Sequence, residues 1–249
     1  MNIYRADLHV HTVLSPCAEV EMIPPLIVQT AVDEGIQLIA ITDHNASANV
    51  AAVQCAAVGT GLIVLPGMEL QTREEVHVLC LFDTLDQLSE WQRQVNETLP
   101  DLENNIEYFG EQFIVDETGD FLAREPRLLP TSSSMTIEDA FNGVYQLGGL
   151  FIPAHVNRKA FGLIENLGFV PPSLPIRGLE ISRHITPDNA YATFPQIRPY
   201  PLIQSGDVHQ LDSFLGSTYL TMEAPTIAEI LKAIQKWEGR NAQIGNYLY

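Results

Sequence analysis

The chain has 249 residues, with 13 Lys and Arg against 31 Asp and Glu, a formal net charge of −18. Hydrophobic residues make up 46% of it, enough to build a sizeable core and too many for a disordered chain. So acidic a surface excludes a broad duplex-binding face, because sequence-independent grip on nucleic acid needs a basic stripe to displace counterions.

No run of about 18 apolar residues occurs, and the N-terminus lacks the charged-then-apolar layout of a signal peptide. The expectation is a soluble, cytoplasmic chain with no membrane partner. Three cysteines, Cys17, Cys55 and Cys80, form no C-x-x-C pair, so any metal site is expected to use His and carboxylates.

Short apolar runs rich in β-branched residues alternate with stretches of helical period, the pattern of a parallel sheet with helices packed outside it. In chain order this predicts a strand at 3–9, a helix at 24–35, a strand at 38–43, a helix at 46–58 and strands at 62–69 and 76–82. A helix at 136–147 and strands at 150–155, 178–182, 201–205 and 217–222 follow. The helix at 225–238 has Pro225 in its first turn and apolar residues at i, i+3, i+4 and i+7. Residues 83–130 break the alternation and are too long for an ordinary connection, so they read as an insertion or lid with one or two amphipathic helices in 86–105.

Six of the seven histidines lie beside a strand terminus. His9 and His11 close the first strand, His44 follows the second, Glu69 ends the third, and His77 starts the fourth. His155 ends the fifth, and Asp207 and His209 follow the seventh. Strand ends of a closed parallel barrel converge on one rim, and residues i and i+2 of H-x-H point to the same side. These positions predict one polynuclear metal centre.

The segments D-L-H-V-H-T (7–12), I-T-D-H-N (41–45), G-M-E-L (67–70) with His77, P-A-H-V (153–156) and S-G-D-V-H (205–209) resemble the PHP family, the polymerase and histidinol phosphatase superfamily. The likeness is to its stand-alone metal-dependent phosphoesterases and covers residues 7–209. It implies an α/β fold, a distorted (β/α)7 TIM-like barrel, and three divalent metal ions. His9, His11, Glu69 and Asp207 would surround one ion, and Glu69 would bridge to a second held by His77 and His155. His44 and His209 would hold a third with an acid from the loop after His11. The family usually reads S-D-G there, and this chain has Ser15-Pro16-Cys17-Ala18-Glu19-Val20-Glu21. Alignment of Pro24 with the proline opening the next helix puts Glu19 where the acid belongs, with Glu21 and Cys17 as alternatives.

The reaction implied is hydrolysis of a phosphate monoester, nucleotide or oligonucleotide end by a metal-bound hydroxide. Such a cluster is net positive and attracts phosphate although the surface does not. Zinc, manganese and iron suit imidazole and carboxylate alike, and magnesium is compatible. Asp7 and Asp43 are expected to orient ligand imidazoles. Arg158, Arg183 and His184 are expected at the rim as phosphate clamps or proton donors, beside the catalytic Glu69 and Asp207, with Arg73 a further candidate. Two other readings remain: an amidohydrolase-type barrel, which normally wants a bridging lysine, and a metal-holding scaffold without turnover. The sequence leaves the oligomeric state open.

Overall fold

In the computed structural model, which describes residues 1–245, Asn2–Val10 forms β1, and Ala6 to Val10 have no accessible surface. Helix α1 (Pro24–Asp33) opens on two prolines, which suit a first turn whose N–H groups have no intrahelical partner. It buries Ile27, Val28 and Ala31 on one side. Strand β2 (Leu38–Ile41), helix α2 (Val50–Ala56) and strand β3 (Ile63–Gln71) complete two crossovers in which β1, β2 and β3 run parallel.

Strand β4 (His77–Leu81) pairs antiparallel with β3, pairing Gln71 with His77 and Glu69 with Leu79. Five residues between the strands are too few for the crossover that a parallel pair needs. Next come α3 (Leu85–Asn96), α4 (Ile106–Phe109), a hairpin of β5 (Phe113–Val115) and β6 (Phe121–Arg124), and α5 (Ile137–Gln146). Strand β7 (Leu150–Pro153) is antiparallel to β4. The remaining elements are α6 (Leu163–Leu167), β8 (Leu179–Ile181), α7 (Pro187–Thr193), β9 (Leu202–Gln204), β10 (Thr218–Met222), α8 (Ile227–Gln235) and β11 (Asn241–Ile244).

Seven strands form one sheet in the order β11-β10-β1-β2-β3-β4-β7, and β8 and β9 form a separate parallel pair. The all-parallel expectation is therefore corrected to a mixed sheet. The (β/α)7 barrel is met only as an α/β sheet whose ladder does not close. β8 and β9 have three residues each, too short to complete it. Single hydrogen bonds join the pair to the sheet instead: Val156 N–H to the Glu180 carbonyl, Val208 N–H to the His9 carbonyl, and His11 N–H to the Val208 carbonyl, each 2.9 Å.

The sheet buries both faces. Ala6, Leu8, Leu38, Ala40, Leu79 and Ile152 pack on one side with Ile230 and Ile234 of α8. Ile39, Ile41, Val64, Val78 and Phe151 pack on the other against α1, α2, α3 and α5. α3 starts with a capping box between Thr84 and Gln87 and buries Leu88, Trp91 and Val95, so the first part of 83–130 covers the sheet as a crossover helix would. The hairpin after it is tied to the loops following β1 and β2. Phe113 N–H donates to the Val13 carbonyl, and the Asn49 side chain donates to the Phe113 carbonyl and accepts from Val115 N–H. These Asn49 bonds also hold 46–49 out of the helix predicted at 46–58.

Candidate metal centre

A one-residue irregularity in β1 sets the direction of its histidines. Asp7 pairs with Ile39 and Val10 with Ile41, so three steps on β1 span two on β2. Before this bulge, Ala6 and Leu8 face the cluster that α8 covers; after it, Val10 faces the opposite cluster with Ile41. His9 and His11 thereby share the face that Leu8 occupies. Because β4 runs antiparallel, its first residue, His77, lies at the same rim as the last residues of β1, β2 and β3.

Glu69 is the hub, with 1% of its surface exposed. Its Oε1 lies 3.2 Å from His9 Nε2, 2.8 Å from His77 Nδ1 and 3.1 Å from His155 Nε2. Its Oε2 lies 2.9 Å from His44 Nδ1 and 3.5 Å from His11 Nε2. Asp207 Oδ1 approaches His9 Nε2 at 3.3 Å and both His11 Nε2 and His209 Nδ1 at 3.4 Å. Three groups of ligand atoms, each within 4.8 Å of one another, result: His9, His11 and Glu69; His44, Glu69 and His77; and His11, His44 and His209.

His9 Nε2, His11 Nε2, Glu69 Oε2 and His155 Nδ1 are buried and, despite these short separations, lack hydrogen-bond partners. Leaving such atoms unpaired costs about 1–3 kcal/mol each. Divalent cations fit this donor set of imidazole nitrogens and carboxylate oxygens, gathered within 4.8 Å of one another in each group.

Charge in the cluster is unevenly shared. Burial opposes ionisation of His9, yet Glu180, Glu69 and Asp207 hold it well above the ordinary imidazole range. Burial likewise opposes the charged form of His44, which Glu69 holds up. Burial and the neighbouring His209 push His11 well below that range, and burial lowers His77 to about 4. Burial alone would raise both carboxylates, but His77 and His9 hold Glu69 far down, and His9 and His11 do so for Asp207.

The supporting residues partly differ from expectation. Asp43 accepts from Thr12 N–H at 2.7 Å and from Ser15 Oγ at 2.7 Å, and Ser15 Oγ contacts His11 Nδ1 at 2.9 Å, so Asp43 orients His11 through a hydroxyl. Asp7 reaches no imidazole. It accepts backbone N–H bonds from Gly206, Leu215 and Gly216, bracing the turn that carries Asp207. Gly206 is required there, because a Cβ would lie 2.5 Å from the Ser213 carbonyl oxygen. Asp207 at φ 51° and His155 at φ 29° both occupy left-handed backbone, a cost of order 1–3 kcal/mol each that the surrounding bonds sustain.

Glu180 on β8 is the residue the sequence reading missed. Its Oε2 lies 3.0 Å from His9 Nδ1 and accepts from His155 N–H at 3.0 Å. An acid between two apolar residues of a short strand, Leu179-Glu180-Ile181, was the available signal. Glu180→Gln is expected to weaken metal affinity about 10–100-fold, the usual effect of losing a carboxylate behind a ligand imidazole. Competition with a chromogenic chelator measures it, and unchanged affinity would remove Glu180 from this role.

Glu19 is a correction. Its N–H donates to the His209 carbonyl, while its side chain is exposed and joins none of the three groups; Glu21 is exposed as well. Cys17, though exposed, lines the well described below beside His44 and His209.

The cluster floors a well of about 280 Å³ lined by His44, Glu69, His77, His155, Phe161 and Asp207. A wider cleft of about 800 Å³ shares Cys17, Arg158, Asp207 and His209 with it and adds Arg183 and His184. Arg158 pairs with Asp207, and Arg183 donates to the Ser213 carbonyl. Arg73 is exposed and lines neither cavity.

Residues 7–122 match the family model of the PHP domain. Over that span the chain is similar to the PHP domain. No curated protein matches it in sequence. Among solved structures, the lesion-specific endonuclease Q of Pyrococcus furiosus superposes with a TM-score of 0.71 at 19% identity, over 97% of this chain and 58% of the endonuclease. Endonuclease Q bound to a 27-mer duplex with an abasic lesion superposes at 0.68 and 20% identity, over 96% and 58%. A Bifidobacterium adolescentis structure assigned as a metal-dependent phosphoesterase superposes at 0.56 and 18% identity, over 82% and 87%. The chain thus spans little more than half the length of the endonuclease. No helix among the described residues is long and apolar enough to cross a membrane.

Proposed function

We propose that the PHP domain hydrolyses phosphoesters at a site of three divalent ions, with a phosphate monoester, a nucleotide or a nucleic-acid end as substrate. The family and the phosphoesterase and endonuclease folds it resembles point to a metal-dependent hydrolase. One observation carries the finer reading: unpartnered buried ligand atoms sit at the floor of a well that opens into a cleft bearing Arg158, Arg183 and His184. His9, His11, Glu69 and Asp207 would hold one ion, Glu69, His77 and His155 a second, and His44 and His209 a third. Ions bound there would polarise phosphoryl oxygens and supply a nucleophilic water at neutral pH.

The chain's own groups then bind and orient. Arg158 and Arg183 would offer guanidinium N–H groups to non-bridging phosphate oxygens, and His184, which lines the same cleft, would protonate a leaving oxygen. The hairpin at 113–124 is tied to Val13 and Asn49 and lines neither cavity; of the 83–130 segment, Pro130 lines the well. The −18 charge favours small substrates or strand ends over long duplex. The likeness to endonuclease Q favours a nucleic-acid phosphodiester as the second reading. An amidohydrolase is disfavoured, since the first lysine, Lys159, is exposed and outside both cavities.

A panel of aryl phosphates, nucleotides and short DNA or RNA, some with an abasic site, separates these readings when assayed with Mn²⁺ or Zn²⁺. Phosphoester cleavage that a chelator abolishes is expected. Metal uptake with no phosphoester cleaved anywhere in the panel would overturn the proposal in favour of a scaffold.

A further inference from the structure

The loop that leaves His155 returns to the metal well through a strained turn. Phe161 takes left-handed backbone at φ 58°. For so bulky a side chain that is a genuine outlier, and such strain collects where ligands are held. Three contacts impose it. Arg158 N–H donates to the His155 carbonyl at 2.8 Å, and His77 N–H donates to the Phe161 carbonyl at 3.0 Å. Gly162 closes on Arg158 so tightly that a Cβ would lie 2.1 Å from the Arg158 carbonyl oxygen.

This turn sets the Phe161 ring in the wall of the well. One face stacks on the His77 imidazole, with centroids 4.4 Å apart and planes 2° from parallel. The residue still exposes 37% of its surface, so the face opposite His77 is the one left to a ligand. Among the described residues that line the well and the wider cleft, Phe161 and Pro130 supply the only hydrocarbon side chains, and Phe161 the only aromatic one apart from the imidazoles. The apolar part of a bound substrate therefore has one flat surface to meet.

We propose that Phe161 selects substrates carrying a planar ring beside the phosphoryl group, a nucleobase or an aryl group, by stacking that ring on the face His77 leaves uncovered. The inference rests on the phosphoesterase reading above and narrows its substrate class. Arg158 and Arg183 can meet a phosphate whatever alcohol it is attached to. Stacking on Phe161 is the contact that distinguishes a nucleotide or aryl phosphate from a sugar phosphate, and it tolerates any base because every base has a π-face.

Phenylphosphonate and cyclohexylphosphonate test it without turnover. Neither has a phosphoester to cleave, their rings are of similar size, and only the first ring is flat. Calorimetric titration of the metal-loaded full chain, at a pH where both are dianions, is expected to give phenylphosphonate a Kd lower by about 2–10-fold, the usual contribution of an aromatic pair. F161L, apolar without being aromatic, should abolish that preference with metal content unchanged, whereas F161W should keep it. Equal affinities in the unsubstituted chain, or a preference that F161L retains, would overturn the assignment and leave the hydrolase reading intact. A chain that holds its ions and binds neither phosphonate would overturn both. Should F161L not fold, the phenyl-to-cyclohexyl ratios of the unsubstituted chain and of F161W still decide between these outcomes.

Discussion

Glu69→Gln is expected to empty two of the three metal positions and slow hydrolysis by at least about 10³-fold, roughly 4 kcal/mol of barrier. Both carboxylate oxygens are engaged, three imidazoles within 3.2 Å of Oε1 and His44 at 2.9 Å from Oε2. Glu69 also belongs to two of the three ligand groups. Gln keeps the volume but removes the charge and one acceptor, and it takes away the anion that holds up His9 and His44. Metal analysis beside a rate assay checks this, and full metal with full turnover would contradict the bridging role.

Asp207→Ala is expected to remove metal and activity together, with a loss on the order of 10²–10³-fold, or about 3–4 kcal/mol. Asp207 approaches His9, His11 and His209 through one oxygen and pairs with Arg158 through the other. Removing it therefore takes an anion from the cation side and a partner from the arginine side. Arg158→Ala separates the two effects. Arg158 lines the wider cleft and is half-exposed, so its loss should raise KM about tenfold with metal content intact. An Asp207→Ala protein that keeps its ions and its rate would defeat the assignment.

Every strand that the apolar runs predict is present within a few residues, because a strand packed on both faces leaves a short unbroken apolar run. β11 escapes it: Asn241 and Gln243 alternate with Ala242 and Ile244 at the sheet's edge, where half-buried polar residues carry little pattern. The mixed direction of the sheet was legible in the spacing between Glu69 and His77, too short for a crossover. The open ladder was not, since three-residue strands leave the same trace whether or not they join a larger sheet. At the site, clustering of the histidines follows from their strand-end positions, but the turn of His9 and His11 into the well depends on a bulge that no local residue announces. Alignment through Pro24 failed for Glu19 because it counted residues. The turn closed by Ser15 and Ala18 instead leaves the Glu19 side chain exposed.

The metal content of the purified chain, counted by mass spectrometry after equilibration with Zn²⁺ or Mn²⁺ and dialysis, bears most directly on the claim that these scattered strand-end residues hold cations. Three ions per chain, reduced by Glu69→Gln and by Asp207→Ala, is the result this geometry predicts. A folded chain that retains none would contradict it.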